Sequence, residues 1–303
     1  MSITLRIFNF FLKKLSRRGM GGIHLSDDTA RKFAEHATQM DNLAGRIIKG
    51  NAHPVVAAER ENCIWIGDPK KHTRHILYLH GGGFIAHMPT SYRYWADRLA
   101  TMNDAAVLLV DYRLAPEYPH PAGLNDCLEV YRWMIEDQGI PAKQIVIGGD
   151  SAGANLALAV LLRIKDENLA YPACTFVLSP PVDLKHESPS ILSNSNKDLF
   201  CDHNLVREIA SIYVPSRDYE DYTVSPLFGD FSGLTPILLH TSHNELVRDD
   251  SVRFYERFRR KVSLELKIWD HVPHCHQLMG FLPESRVARD NIRDFVAAHC
   301  PNR

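Results

Sequence analysis

From Arg74 onward, short apolar runs alternate with stretches whose apolar residues recur every three or four positions. The runs are 75–80 (HILYLH), 105–112 (AAVLLVDY), 144–150 (QIVIGGD), 173–179 (ACTFVLS), 236–242 (PILLHTS) and 264–269 (LELKIW). Each is short and largely apolar, with many β-branched residues, as in strands buried on both faces of a parallel sheet. Helical patterning covers 124–138, closed by Gly139, and then 152–166, 251–261 and 284–299. This alternation predicts a doubly wound, mostly parallel α/β sheet.

Two regions break the rhythm. The first 50 residues are helical in pattern and hold no strand, and residues 183–224, rich in Ser, Asn, Asp and Pro, separate two strands. An interruption of that length usually lies over the mouth of the sheet, where functional loops collect. Residues 1–50 and 183–224 are therefore expected to form one helical cap over a core made of 51–182 and 225–303.

Composition narrows the partners. Lysine and arginine nearly balance aspartate and glutamate, for a net charge of -1, which removes the basic footprint of a nucleic-acid binder. Cysteines 63, 127, 174, 201, 275 and 300 are scattered without a CxxC pair, the usage of reduced thiols in a compartment such as the cytoplasm. No stretch approaches the ~20 apolar residues of a membrane span. At the N-terminus, the apolar run 7–12 precedes Lys13, Lys14, Arg17 and Arg18. A cleavable secretory signal has the opposite order. Such a basic amphipathic helix can touch a membrane surface, but more often packs on its own protein. Oligomeric state is not legible.

The chemistry gathers at strand ends. Gly149-Asp150-Ser151-Ala152-Gly153 follows one expected strand and opens a helix, the context of a nucleophile elbow. The turn lifts the Ser151 hydroxyl out of the sheet, and the glycines remove side chains that would clash. His80-Gly81-Gly82-Gly83 follows the strand at 75–80. Its bare backbone, at Gly82 and Gly83, could join the N–H of Ala152 in an oxyanion hole. A phosphate site is excluded, since no GK[ST] or GxGxxG accompanies the glycines. A serine nucleophile needs a base, and the base needs a carboxylate. Two later strand ends offer both: residues 243–250 (HNELVRDD) and 270–276 (DHVPHCH).

HGGGF, DYRLAPEYPHPA and GDSAGANLA together resemble the bacterial branch of the hormone-sensitive-lipase esterases, within the α/β-hydrolases, from about residue 50 to the C-terminus. The resemblance implies a helical cap, ester substrates of short to medium acyl chain, and no metal or organic cofactor. It implies His274 as the base, counted five residues after Trp269, and Glu245 as the acid, where aspartate is more common. Ala154 stands where a third glycine is common. The ionic side chains of Asp111–Glu117 would brace their loop.

Rival readings remain. Asp249 and Asp250 precede the run SVRFYERF, where N-capping or a favourable position in the helix dipole accounts for them. Residues His271, His274 and His276 could suggest zinc, but Pro273 breaks the regularity and no HExxH or cysteine pair joins them. His271 and His276 are read as loop or pocket-wall residues. Gibberellin receptors use this fold to bind a small molecule without hydrolysis, their histidine position being substituted. A histidine at the matching place here favours hydrolysis of a small ester.

Overall fold

The computed structural model describes residues 1–7, 9, 26–45, 52–54 and 63–302. Among them, eight strands form one sheet: β1 (Ala52–Pro54), β2 (Ile64–Ile66), β3 (His75–Leu79), β4 (Ala106–Val110), β5 (Ile145–Asp150), β6 (Cys174–Leu178), β7 (Ile237–Ser242) and β8 (Leu264–Trp269). The order is β1-β2-β4-β3-β5-β6-β7-β8. β1 and β2 pair antiparallel, and every pair from β4 to β8 is parallel. The six expected strands lie where their apolar runs predict. β1 and β2 depart from the expectation, because three residues are too few to show a period.

Strand side chains alternate between two cores. Leu77, Leu79, Leu108 and Ile147 join one cluster with Leu124, Leu156 and Phe254. Ile76, Tyr78, Val107 and Phe176 join the other with Trp95 and Ile292. The first face is therefore covered by helices α3 (Ala122–Glu136), α4 (Ala152–Asp166) and α7 (Arg248–Phe258). The second is covered by α2 (Pro89–Asn103) and α8 (Pro283–His299), completing the doubly wound arrangement. β8 closes one edge of the sheet, and its Glu265 and Lys267 are exposed.

Helix α2 was not legible as an element, and its start shows why. Met88 offers no side-chain cap; instead the N–H groups of Thr90 and Ser91 donate to Asp41, at 2.6 and 2.9 Å. That carboxylate belongs to α1 (Asp27–Gly45), about 50 residues upstream. Residues 183–224 contain α5 (Pro189–Ser193) and α6 (His203–Tyr213), the latter capped by Asp202.

Of the two roles expected for Asp249 and Asp250, the helix-dipole position holds and N-capping is corrected. α7 begins at Arg248, so both lie inside its first turn. Asp250 is buried and accepts from the N–H groups of Val182 and Asp183 and from the Ser188 hydroxyl. Burial pushes its carboxyl up to about 7. Arg253 donates to Asp183 at 2.7 Å. These bonds tie the start of the 183–224 segment to α7.

At the N-terminus, Leu5 packs against Val272 and Leu282, and Ser2 N–H donates to Glu284 at 2.6 Å. The first residues thus lie on this chain's own surface, while Lys13, Lys14, Arg17, Arg18 and residues 46–50 fall outside the described residues. Among the described residues, no helix is long and apolar enough to cross a membrane.

Candidate active site

The chemistry-bearing loops follow β3, β5, β7 and β8, and parallel strands put all four loops at one edge of the sheet. Ser151 sits between the last residue of β5 and the first of α4, at φ 51° and ψ -121°. A non-glycine residue there is strained, so its surroundings must impose the turn. A Cβ on Gly153 would stand 2.0 Å from the Leu79 carbonyl oxygen, and one on Gly149 2.4 Å from that of Gly153. Bare glycines let β3, β5 and α4 approach closely enough to hold the turn. Ser151 N–H donates to Leu178 O at 2.8 Å, anchoring the elbow to β6.

The glycine loop after β3 is fixed to this elbow by a buried carboxylate. Asp150 accepts from the hydroxyls of Tyr78 and Tyr92, each at 2.8 Å, and from Gly81 N–H at 3.1 Å. Burial raises the Asp150 carboxyl, and the two tyrosine bonds pull it back. Tyr112 OH donates to the His80 carbonyl at 2.6 Å. Gly82 has φ 116°, and a Cβ there would lie 2.2 Å from Ala86 O, so neither conformation nor space admits a side chain. Among the described residues, the N–H groups of Gly82, Gly83 and Ala152 make no hydrogen bond. All three residues line one cavity with Ser151.

The other half of the site is assembled from side chains. Glu245, 1% exposed, presents Oε2 to His274 Nδ1 at 3.3 Å. Ser179 donates to its Oε1 at 2.9 Å, and Thr241 to its Oε2 at 3.4 Å. Burial raises the Glu245 carboxyl; His274 and Ser179 oppose that rise. Burial would push the His274 imidazole down, but neighbouring Cys275 and Glu245 carry it well above its ordinary value. Burial also lifts the Cys275 thiol to about 11, so near neutrality its sulfur is uncharged and the charge supporting an imidazolium is that of Glu245. Among the described residues, no hydrogen bond joins Ser151 to His274, and contacts between a nucleophile and its base commonly tighten only around substrate.

The cavity holds about 500 Å³. Ser151 and His274 face it with the glycine loop, while Leu184, Phe200, Leu205 and Ile209 from the 183–224 segment and Ala37 from α1 complete an apolar wall. His276 does not join that wall. It is buried beside Trp269, ring centroids 5.7 Å apart, and burial pushes its imidazole down to about 3. His271 is exposed, its carbonyl accepting from Asn9. The Asp111–Glu117 loop is braced as expected: Arg113 donates to buried Asp126 through Nη2 at 2.8 Å and Nε at 3.0 Å. Ser179, Thr241, Tyr78 and Tyr92 were not singled out by sequence. Ser179 left one trace, a polar residue closing an apolar run at the carboxyl edge.

A family model described as the alpha/beta hydrolase fold matches residues 76–278. An acetyl-hydrolase of Streptomyces hygroscopicus is 34% identical over 227 residues, which span 74% of this chain and 75% of that protein. The chain belongs to the α/β-hydrolase family. An esterase of Acinetobacter venetianus is also 34% identical, over 75% of each protein. Among solved structures, an esterase/lipase from an uncultured bacterium aligns with TM-score 0.87 and 29% identity over 99% of both chains. A hormone-sensitive lipase from a metagenome library aligns with TM-score 0.86 and 30% identity, over 97% of this chain and 98% of that one. This α/β-hydrolase stands in the hormone-sensitive-lipase branch, as a serine hydrolase of the carboxylesterase and lipase type.

Proposed function

We propose that the chain hydrolyses carboxylic esters of short to medium acyl chain through an acyl-enzyme on Ser151. His274 takes the Ser151 proton as the hydroxyl attacks the ester carbonyl, and Glu245 holds the imidazole in the required tautomer and balances its charge. The oxyanion meets the N–H groups of Gly82, Gly83 and Ala152. His274 then protonates the leaving alcohol and activates the water that releases the acid. The observation that carries this reading is one cavity holding Ser151, His274 and three N–H groups without partners among the described residues, with Glu245 Oε2 3.3 Å from His274 Nδ1.

The proposed acyl limit rests on the size of the cavity and its apolar walls. About 500 Å³ is ample for a small molecule, and Ala37 with the 183–224 segment, read as parts of a cap, walls one side of it. Each methylene placed against those walls should contribute about 0.8 kcal/mol, near fourfold in kcat/KM, until the space is full. Relatives named acetyl-hydrolases fit the same size class. Six scattered cysteines without a CxxC pair suit a cytoplasmic setting. The test is a p-nitrophenyl ester series from acetate to palmitate, with fluorophosphonate labelling. Rates should peak at short chains, the label should map to Ser151, and Ser151→Ala should abolish both. A rate still climbing at palmitate overturns the enclosed pocket; a label on another serine overturns the nucleophile.

A further inference from the structure

Behind the oxyanion loop, and away from the cavity lining, three potential ligands converge. His80 follows β3, His87 precedes α2, and Asp111 follows β4, each offering an atom within 4.8 Å of the others. His80 is 1% exposed, and its Nδ1 lies 2.6 Å from the Gly81 carbonyl oxygen. A carbonyl can only accept, so Nδ1 carries the ring proton and Nε2 keeps a bare lone pair. That buried Nε2 has no hydrogen-bond partner among the described residues. One ring nitrogen tied to a backbone carbonyl and the other left bare is the arrangement of a metal-binding histidine.

The other two groups supply the rest of a donor set. His87 Nδ1 stands 3.1 Å from Asp111 Oδ1, without the alignment of a hydrogen bond. Ligands about 2.0–2.2 Å from a tetrahedral zinc ion are roughly 3.3 Å from one another, so this pair already has the spacing of one edge. Both side chains are partly exposed, leaving an entry path and a place for water as fourth ligand. Two imidazoles and one carboxylate suit zinc, cobalt or nickel, whereas magnesium and calcium seek oxygen alone.

We propose that His80, His87 and Asp111 form a binding site for a first-row divalent cation of the zinc class, separate from the ester cavity. Ester hydrolysis does not call on it. The ion would join the loop after β3 to the loop after β4, so the folded chain alone would present the site, and occupancy would raise thermal stability.

Cobalt(II) reports coordination directly, so the full chain, stripped with chelator, would be titrated with Co²⁺ and read by visible absorption. One equivalent should saturate a tetrahedral d–d band, and Zn²⁺ should abolish it. His87→Ala should lose the band and bind Co²⁺ at least about 10-fold more weakly, since even outer-shell changes cost that much. Asp111→Asn provides a second test should His87→Ala not fold, the melting temperature in chelator serving as the check. His243→Ala controls for the exposed His243–Asp270 pair, 3.2 Å apart, and should leave the band unchanged. Absence of a saturable band, or the same band in whichever of the His87 and Asp111 variants folds, would overturn the proposal.

Discussion

The two halves of the site are held by different means. On the nucleophile side the constraint lies in the backbone. Ser151 is fixed at positive φ, and Cβ atoms at Gly149, Gly153 or Gly82 would fall 2.0–2.4 Å from carbonyl oxygens. On the acid and base side it lies in side chains meeting across loops, with His274 3.3 Å from Glu245 and Thr241 3.4 Å from the same oxygen. A backbone-built half cannot relax without separating β3, β5 and α4. The side-chain half rests on longer contacts, and among the described residues no hydrogen bond joins Ser151 to His274. In the mechanism we propose, precision comes from the glycines and proton control from the longer contacts.

The comparison breaks most visibly at Glu245. Glu245→Gln keeps an oxygen for Ser179 but can turn an amide N–H₂ toward His274 Nδ1. The imidazole would then carry its proton on Nε2 and could not accept from Ser151. We expect kcat to fall by up to about 10⁴ with the fold intact. The pH profile sharpens the point. The base works only when neutral, and Glu245 holds His274 above its ordinary value, so wild-type activity should fall as pH drops through that raised value. Residual Glu245→Gln activity should have its acid limb at lower pH. An unmoved limb would mean that Glu245 does not set the charge on His274.

On the backbone side, Gly82→Ala should act on kcat more than on KM. It adds a Cβ 2.2 Å from Ala86 O and forces alanine to φ 116°, so the loop must turn and misaim its N–H. Losing one oxyanion donor costs about 10²–10³ in kcat. Steady-state kinetics on p-nitrophenyl butyrate would measure this, and a kcat within about tenfold of wild type would place the oxyanion elsewhere.

This difference also governs what could be read before the structure. The elbow and the glycine loop were legible because a backbone that admits no side chain must write glycine at set positions. The positions of six strands were legible from their apolar runs, and so was the burial of β3 to β7; the burial expected of β8 is corrected, since this edge strand exposes Glu265 and Lys267. The acid and base were not fixed by pattern, since a contact across two loops imposes no spacing along the chain; order and resemblance carried that choice. Ser179, Tyr78 and Tyr92 escaped because each acts through hydrogen bonds to residues distant in the chain. α2 escaped because its start is capped by Asp41, a residue outside any local window. The buried hydrogen bonds of Asp250 escaped for the same reason, its partners lying more than 60 residues away.

The smallest expected effect belongs to Asp249, and it tests the division most finely. Asp249 stands four residues beyond Glu245 and would be the natural substitute acid if spacing decided the matter. The structure turns its carboxylate to Arg248 Nε at 2.7 Å, while its N–H donates to Ser190. Neither contact reaches His274. The Arg248 pair is partly exposed and adjacent in sequence, a setting in which an ion pair contributes about 0.2–1 kcal/mol. Asp249 also lies in the first turn of α7, where a negative charge gains a few tenths of a kcal/mol from the helix dipole. Asp249→Asn should therefore lower stability by about 1 kcal/mol or less and leave kcat within about threefold of wild type. Thermal melting and steady-state kinetics on the same preparation would separate the two. A collapse of kcat with the acid limb displaced, while Glu245→Gln stays active, would transfer the role of acid to Asp249 and remove the side-chain half of the site as drawn.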